Sequence, residues 1–138
     1  AHGDHGRGTM RDYQRKKNNK YILPGAVYMQ TVWTIRDYQR MKEEAVSLLL
    51  SSPPPPDGQP KGTGTGDEVA SKAFRREEIL RKIKAIDTAL EAVPREYRKG
   101  VWSSVVERKS FPRDADRTTY GRWKSRFVFE AAVRLGIF

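Results

Sequence analysis

Thr118-Thr119-Tyr120-Gly121-Arg122-Trp123-Lys124-Ser125-Arg126-Phe127-Val128-Phe129-Glu130-Ala131-Ala132-Val133-Arg134-Leu135-Gly136-Ile137-Phe138 reads as one amphipathic helix with both ends marked. Tyr120, Trp123, Phe127, Ala131 and Leu135 recur at steps of three or four, the spacing that places side chains on one helical face. Thr118 or Thr119 offers the N-cap, so the helix is expected over about 119–135. Gly136 stands where a left-handed C-cap is wanted, Arg134 complements the negative helix end, and Ile137 and Phe138 can fold back on the cap. The opposite side carries Thr119, Arg122, Ser125 and Arg126, with Lys124 flanking. An apolar face for anchoring and an outer face of guanidinium forks and hydroxyls is the layout of a recognition helix in the major groove. The rings of the apolar stripe are read as core: Tyr120 and Trp123 lie one turn apart on the buried side, whereas single-strand binders expose their rings.

Upstream, Pro94 is expected at a first helical position, followed by Tyr97, Val101, Trp102, Val105 and Val106 at helical spacing. Lys109-Ser110-Phe111-Pro112 breaks that pattern. Two longer stripes come earlier. Tyr28, Val32, Ile35, Tyr38, Met41, Ala45, Leu48 and Leu49 predict one long helix within residues 21–50, entered at Pro24-Gly25. Val69, Ala73, Leu80, Ile83, Ile86, Leu90 and Val93 predict a second, capped by Thr65 or Asp67. Residues 51–66, SSPPPPDGQPKGTGTG, form a linker between them, with a stiff polyproline half and a loose Gly/Thr half. The glycines of that linker are not a phosphate loop, since no strand precedes them and the Gly-Lys-Ser/Thr ending is absent. The fold class is therefore all-α: two long amphipathic helices plus a C-terminal helix-turn-helix-like unit, with residues 67–138 as the helical binding domain. The long stripes can pair within one chain or between two, and dimerisation through them is expected, because one helix on one site rarely discriminates enough.

Charge locates the expected partner. The 138 residues carry a net +10. Residues 1–20 hold six Lys/Arg against two acids, residues 21–94 ten against ten, and residues 95–138 eleven against five. Both ends are cationic around a neutral middle, which favours a polyanion and, because the basic residues alternate with core-type aromatics, nucleic acid over a lipid surface. Residues 1–20 are read as a leader and a basic arm, largely disordered. Within them Ala1–Thr9 precede a plausible natural start at Met10, and His2-Gly3-Asp4-His5 is read as a flexible terminus, not a metal site. In this reading Thr118, Thr119, Arg122, Lys124, Ser125 and Arg126 approach bases or phosphates, Lys109, Arg113 and Arg117 grip the flanking backbone, and Arg15, Lys16, Lys17 and Lys20 add delocalised attraction.

Other classes lack their residues. There is no cysteine, which removes disulfide scaffolds, thiolate zinc sites and cysteine nucleophiles. Both histidines fall in the leader, and Asp114 and Asp116 alone do not make a nuclease metal site. No enzyme, cofactor or metal is expected. No apolar run approaches the roughly 20 residues that span a bilayer, so a cytoplasmic protein is expected.

Ala89-Leu90-Glu91-Ala92-Val93-Pro94-Arg95-Glu96-Tyr97-Arg98 resembles the helix and turn that open region 4 of sigma-70-type factors. Gly100-Val101-Trp102, Phe111-Pro112, Ala115-Asp116-Arg117-Thr118-Thr119-Tyr120, Trp123-Lys124-Ser125-Arg126-Phe127 and Leu135-Gly136 resemble the RinA-type transcriptional activators of phages and prophages of Gram-positive bacteria. The resemblance covers roughly Met10 onward and is most specific from Val93. It implies a sequence-specific, double-stranded-DNA-binding activator of late phage genes in the bacterial cytoplasm, with host RNA polymerase as a further partner. One departure stands out: only Phe111 to Arg117, containing Pro112, is left for the first helix of a helix-turn-helix, which must then be short or distorted. Two rival readings remain. A small terminase subunit for DNA packaging would form a ring that a mass measurement reveals. A polymerase-binding adaptor would capture polymerase without shifting naked DNA.

Overall fold

The computed structural model describes residues 14–51 and 65–138 and is all-helical, with no β-strand among the described residues. Its elements are α1 (Gly25–Arg36), α2 (Tyr38–Ser51), α3 (Thr65–Leu90), α4 (Arg95–Val106) and α5 (Arg117–Leu135). The leader with Met10, His2 and His5, and the polyproline part of the linker, lie outside the described residues. Among the described residues no helix is long and apolar enough to cross a membrane.

Proline opens two of the helices, and Pro94 does so one position earlier than expected. Pro24 and Pro94 are the N-cap residues of α1 and α4, with φ/ψ of −53°/143° and −56°/145°, so Gly25 and Arg95 are the first helical residues. Having no N–H, a proline at this border loses nothing to the helix and fixes its entry.

The long N-terminal helix expected over 21–50 is two helices. Asp37 ends α1 with φ −83° and ψ 2°, its N–H shared among the carbonyls of Trp33, Thr34 and Ile35. The apolar spacing runs unbroken through Ile35, Tyr38 and Met41, so periodicity alone carries no sign of the break. Two features mark it locally. The hydroxyls of Thr31 and Thr34 donate back to the carbonyls of Val27 and Gln30, contacts that loosen a helix, and Asp37 is a poor helix former.

The break coincides with a division into two compact units, the first containing residues up to Asp37 with Ala85–Phe138, the second Tyr38–Lys84. The expected partition into a 21–50 helix and a 67–138 domain is thereby redrawn, because α1 joins the C-terminal helices. In the first unit α1 packs on α4 and α5, and α4 packs on α5. Tyr28, Thr31, Val32 and Ile35 of α1 are buried with Ile86, Ala89 and Val93 at the end of α3, with Val101 and Val105 of α4, and with Tyr120, Phe127, Val128, Ala131, Ala132 and Leu135 of α5. Two arginines close helix ends within this unit. Arg36 Nε donates to the Val105 carbonyl (2.8 Å), and Arg98 Nε donates to the Val93 carbonyl (2.6 Å), supplying donors to carbonyls that a helix terminus leaves open.

In the second unit Met41 and Ala45 of α2 and Ile79 of α3 are buried. Glu44 accepts from Arg40 and from Arg75, each at 2.6 Å, and Arg76 Nε reaches the Ala45 carbonyl. The stripe predicted for α3 holds toward its C-terminal end, where Ile86 and Val93 are buried and Ile83 and Leu90 half-buried, but Val69, Ala73 and Leu80 face solvent, while Ile79, Ala85 and Ala89 are buried. Val46, Leu49, Leu50 and Phe74 are also exposed in this unit.

Candidate nucleic-acid interface

The entrance of α5 is set by Asp116, not by Thr118 or Thr119. Its backbone is extended and its side chain accepts from the Thr118 N–H at 3.2 Å, so Arg117 is already helical. The exit is as expected: Gly136 has φ 78°, its N–H and that of Ile137 return to carbonyls of the last turn, and Phe138 lies edge-on to Phe129 at 5.8 Å.

Between α4 and α5 there is no short helix. Residues 107–116 connect them without helical structure, where a helix-turn-helix has a turn of three or four residues. The first helix expected over Phe111–Arg117 is replaced by an aromatic packing unit. Phe111 stacks on Tyr120 at 5.3 Å, and Tyr97 meets the same ring edge-on at 5.3 Å. Gly100 makes the close approach feasible. A Cβ there would sit 2.6 Å from Tyr120 Cε1 and 2.8 Å from Pro112 Cδ. Phe111 is thus held over the Tyr120 ring with Pro112 close against Gly100, and this stretch runs as a connection without helical structure.

Tyr120 is 1% exposed and its hydroxyl donates to Asp114 Oδ1 at 2.6 Å. Burial first, and the adjacent carboxylate second, push its phenol up from 10.0 to about 12. The raised value favours the neutral phenol in the folded state. Its contribution is complete below pH 10 and is lost as pH rises toward 12. Denaturant midpoints taken across that window should fall for the native protein and fall less for Tyr120→Phe; parallel curves would exclude this linkage.

The segment before α1 is the feature that sequence reading missed. It is not a free basic arm in its described part but a strap running parallel to α5. Arg15 Nη1 donates to the Thr118 carbonyl (3.2 Å), Asn19 Nδ2 to Ser125 Oγ (3.2 Å), and Tyr21 meets Phe129 edge-on at 5.4 Å. Gln14 fastens the strap to the start of α1 by exchanging side-chain amide bonds with the backbone of Leu23. Asn18, in left-handed backbone with φ 52°, turns the chain. The Asn18-Asn19 pair is a turn signal, since asparagine tolerates this conformation and bonds its own backbone, and it was the available clue.

The strap redistributes the expected contact residues. Ser125 is buried beneath it and accepts from Asn19, so it is not on the outer face. Arg126 is half-buried, donating to Tyr21 Oη (3.1 Å) and Glu130 Oε2 (3.3 Å) with its guanidinium 5.1 Å from the centre of the Tyr21 ring. It fastens the strap. Arg15 does the same. Lys124 lies 5.9 Å from the Phe111 ring, and Lys109 pairs with Glu107 at 3.6 Å. Lys16, Lys17, Lys20, Arg113, Arg117, Thr118 and Arg122 remain exposed, and Thr119 is partly so. Among the described residues no carboxylate pairs with any of those six cations.

Strap and helix enclose an open groove of about 700 Å³, lined by Asn18, Asn19, Lys20 and Tyr21 on one side and Thr119, Arg122, Trp123 and Arg126 on the other. No acid lines it. Trp123, expected in the core, is only partly buried and forms part of this wall. Among the described residues no cluster of three histidine or acidic side chains comes together as a metal site would require. No known protein family matches the chain, and no curated protein or solved structure matches it.

Proposed function

We propose that this chain binds double-stranded DNA through the cationic surface made by the strap and the first turns of α5, and that it acts as a transcriptional activator of phage or prophage genes. The observation that carries the reading is the acid-free groove in which Lys20 of the strap and Arg122 and Arg126 of α5 converge. The RinA-type resemblance from Val93 onward is what favours activation over another use of DNA, with host RNA polymerase as a second partner. Arg117, Thr118, Thr119 and Arg122 are the contacts assigned to α5, and Lys16, Lys17, Lys20 and Arg113 hold neighbouring phosphates. Ser125, Arg126 and Arg15 act behind them by positioning the strap. With the residues 107–116 connection in place of a tight turn, α5 presents itself without the usual helix-turn-helix partner.

The proposal includes a dimer formed through the second unit, where Leu49, Leu50 and Phe74 are more than half exposed and supply apolar surface. A solution mass of one chain would exclude it, and a ring of many chains would favour a packaging subunit.

Association with a short duplex, followed by fluorescence anisotropy over a salt series, tests the core of the reading. Six neutralised phosphates give a slope of log affinity against log salt of about −5. A slope near zero, or no binding to naked duplex alongside capture of polymerase, would replace DNA binding with the adaptor reading.

A further inference from the structure

The groove is lined by two chemically different sets of groups. In one, the groups are already committed. Asn19 serves Arg15, Ser125 and Tyr21, and the Tyr21 ring is approached by Lys20 at 5.6 Å and by Arg126 at 5.1 Å. In the other, the side chains of Trp123, Arg122 and Thr119 from α5 and of Asn18 from the strap line the same space with no side-chain hydrogen bond or ring contact among the described residues. An indole face, a guanidinium, a hydroxyl and a carboxamide therefore stand together uncommitted.

A fully paired duplex can use the guanidinium and the hydroxyl but not the indole face, because its bases present edges to a protein and keep their faces stacked on one another. An indole in a basic groove is what an unstacked base seeks, and a planar guanidinium matches the phosphate beside it. The carboxamide can pair with a base edge once the base is unpaired. The space is ample, since sites for small ligands run from about 300 to 1,000 Å³.

We infer that this groove holds one unpaired nucleotide of a DNA strand, its base stacked on Trp123 and its phosphate on Arg122, so that the protein prefers duplex DNA that carries a short single-stranded segment. This rests on the DNA-binding reading above and names the form of DNA the site takes. Trp123 supplies the stack, and Asn18, placed by its left-handed backbone, supplies the edge contact.

The test compares a blunt duplex with the same duplex carrying a short thymidine overhang, at one salt concentration, with the full chain. The overhang should raise affinity by at least about fivefold, the scale of one base–aromatic stack. Trp123→Leu should erase that ratio, and Asn18→Gly, which keeps the left-handed backbone but deletes the amide, should reduce it. Should Trp123→Leu fail to fold by circular dichroism, the native protein decides with 2-aminopurine in the overhang, whose emission should be quenched on binding. Equal affinities for the two duplexes, a ratio that survives Trp123→Leu, or unquenched 2-aminopurine would each overturn the inference and leave the duplex reading intact. Binding of the thymidine strand alone, with none to blunt duplex, would keep the nucleotide site and remove the duplex reading.

Discussion

Phe127→Ala should cost about 3–5 kcal/mol of folding stability, the range for truncating a fully buried phenylalanine. Phe127 is 0% exposed, on the face of α5 whose neighbours Val128, Ala131 and Ala132 are equally sealed, and its ring centre lies 6.1 Å from that of Trp102 on α4. α5 is also the helix on which both α1 and α4 pack, so a cavity at this position loosens two interfaces together. Domains of this size hold a total of about 5–15 kcal/mol, which makes the loss a large share of what there is. Val133→Ala on the same helix is the control. That side chain is 49% exposed, and its truncation should cost well under about 1 kcal/mol. Urea titration separates the two, and a Phe127→Ala loss below that of the control would contradict the placement of the core.

The second large effect concerns binding. Replacing Arg117 and Arg122 together by alanine should weaken duplex binding by roughly fifty-fold near 0.1 M salt, and should flatten the salt slope by nearly two, because each phosphate contact contributes about 0.9 to that slope. Both arginines are exposed on α5 without an ion-pair partner among the described residues, so their loss removes charge without leaving a buried group unsatisfied. Lys82→Ala with Lys84→Ala deletes the same net charge from exposed positions on α3 and should leave affinity within a few-fold. Equal losses in the two double variants would mean that bulk charge, not the α5 surface, drives association.

Much of the helical outline was legible because its signals are local. The Tyr120–Leu135 stripe, the Gly136 cap and the prolines before α1 and α4 each act within one or two turns of chain. What sequence reading lost was tertiary. The break at Asp37 lies inside continuous apolar spacing, and it separates residues that pack in different units. The α3 stripe held at Ile86 and Val93 but gave way to Ile79 and Ala89, which are buried where Val69 and Leu80 are exposed. Gly100 and Pro112, with Phe111, turned a supposed first helix into a lid over Tyr120, and only a three-dimensional close approach could reveal that.

The candidate site was half legible. The cations of α5 were visible as an outer face, but periodicity cannot show that another segment lies across part of it. Asn19 and Tyr21 claim Ser125 and Arg126 over sequence separations of 106 and 105 residues. Trp123, expected in the core, lines the groove beside that strap.

The chain contains no native cysteine, so a single Thr118→Cys carrying a tethered DNA-cleaving iron chelate reports directly on what lies against α5. Thr118 is exposed in the first turn of that helix. Bound duplex should be cut from this position at a confined set of nucleotides, and far less from a Lys82→Cys probe on α3. Cutting from Lys82→Cys with none from Thr118→Cys would contradict the claim that the strap and α5 form the DNA-binding surface.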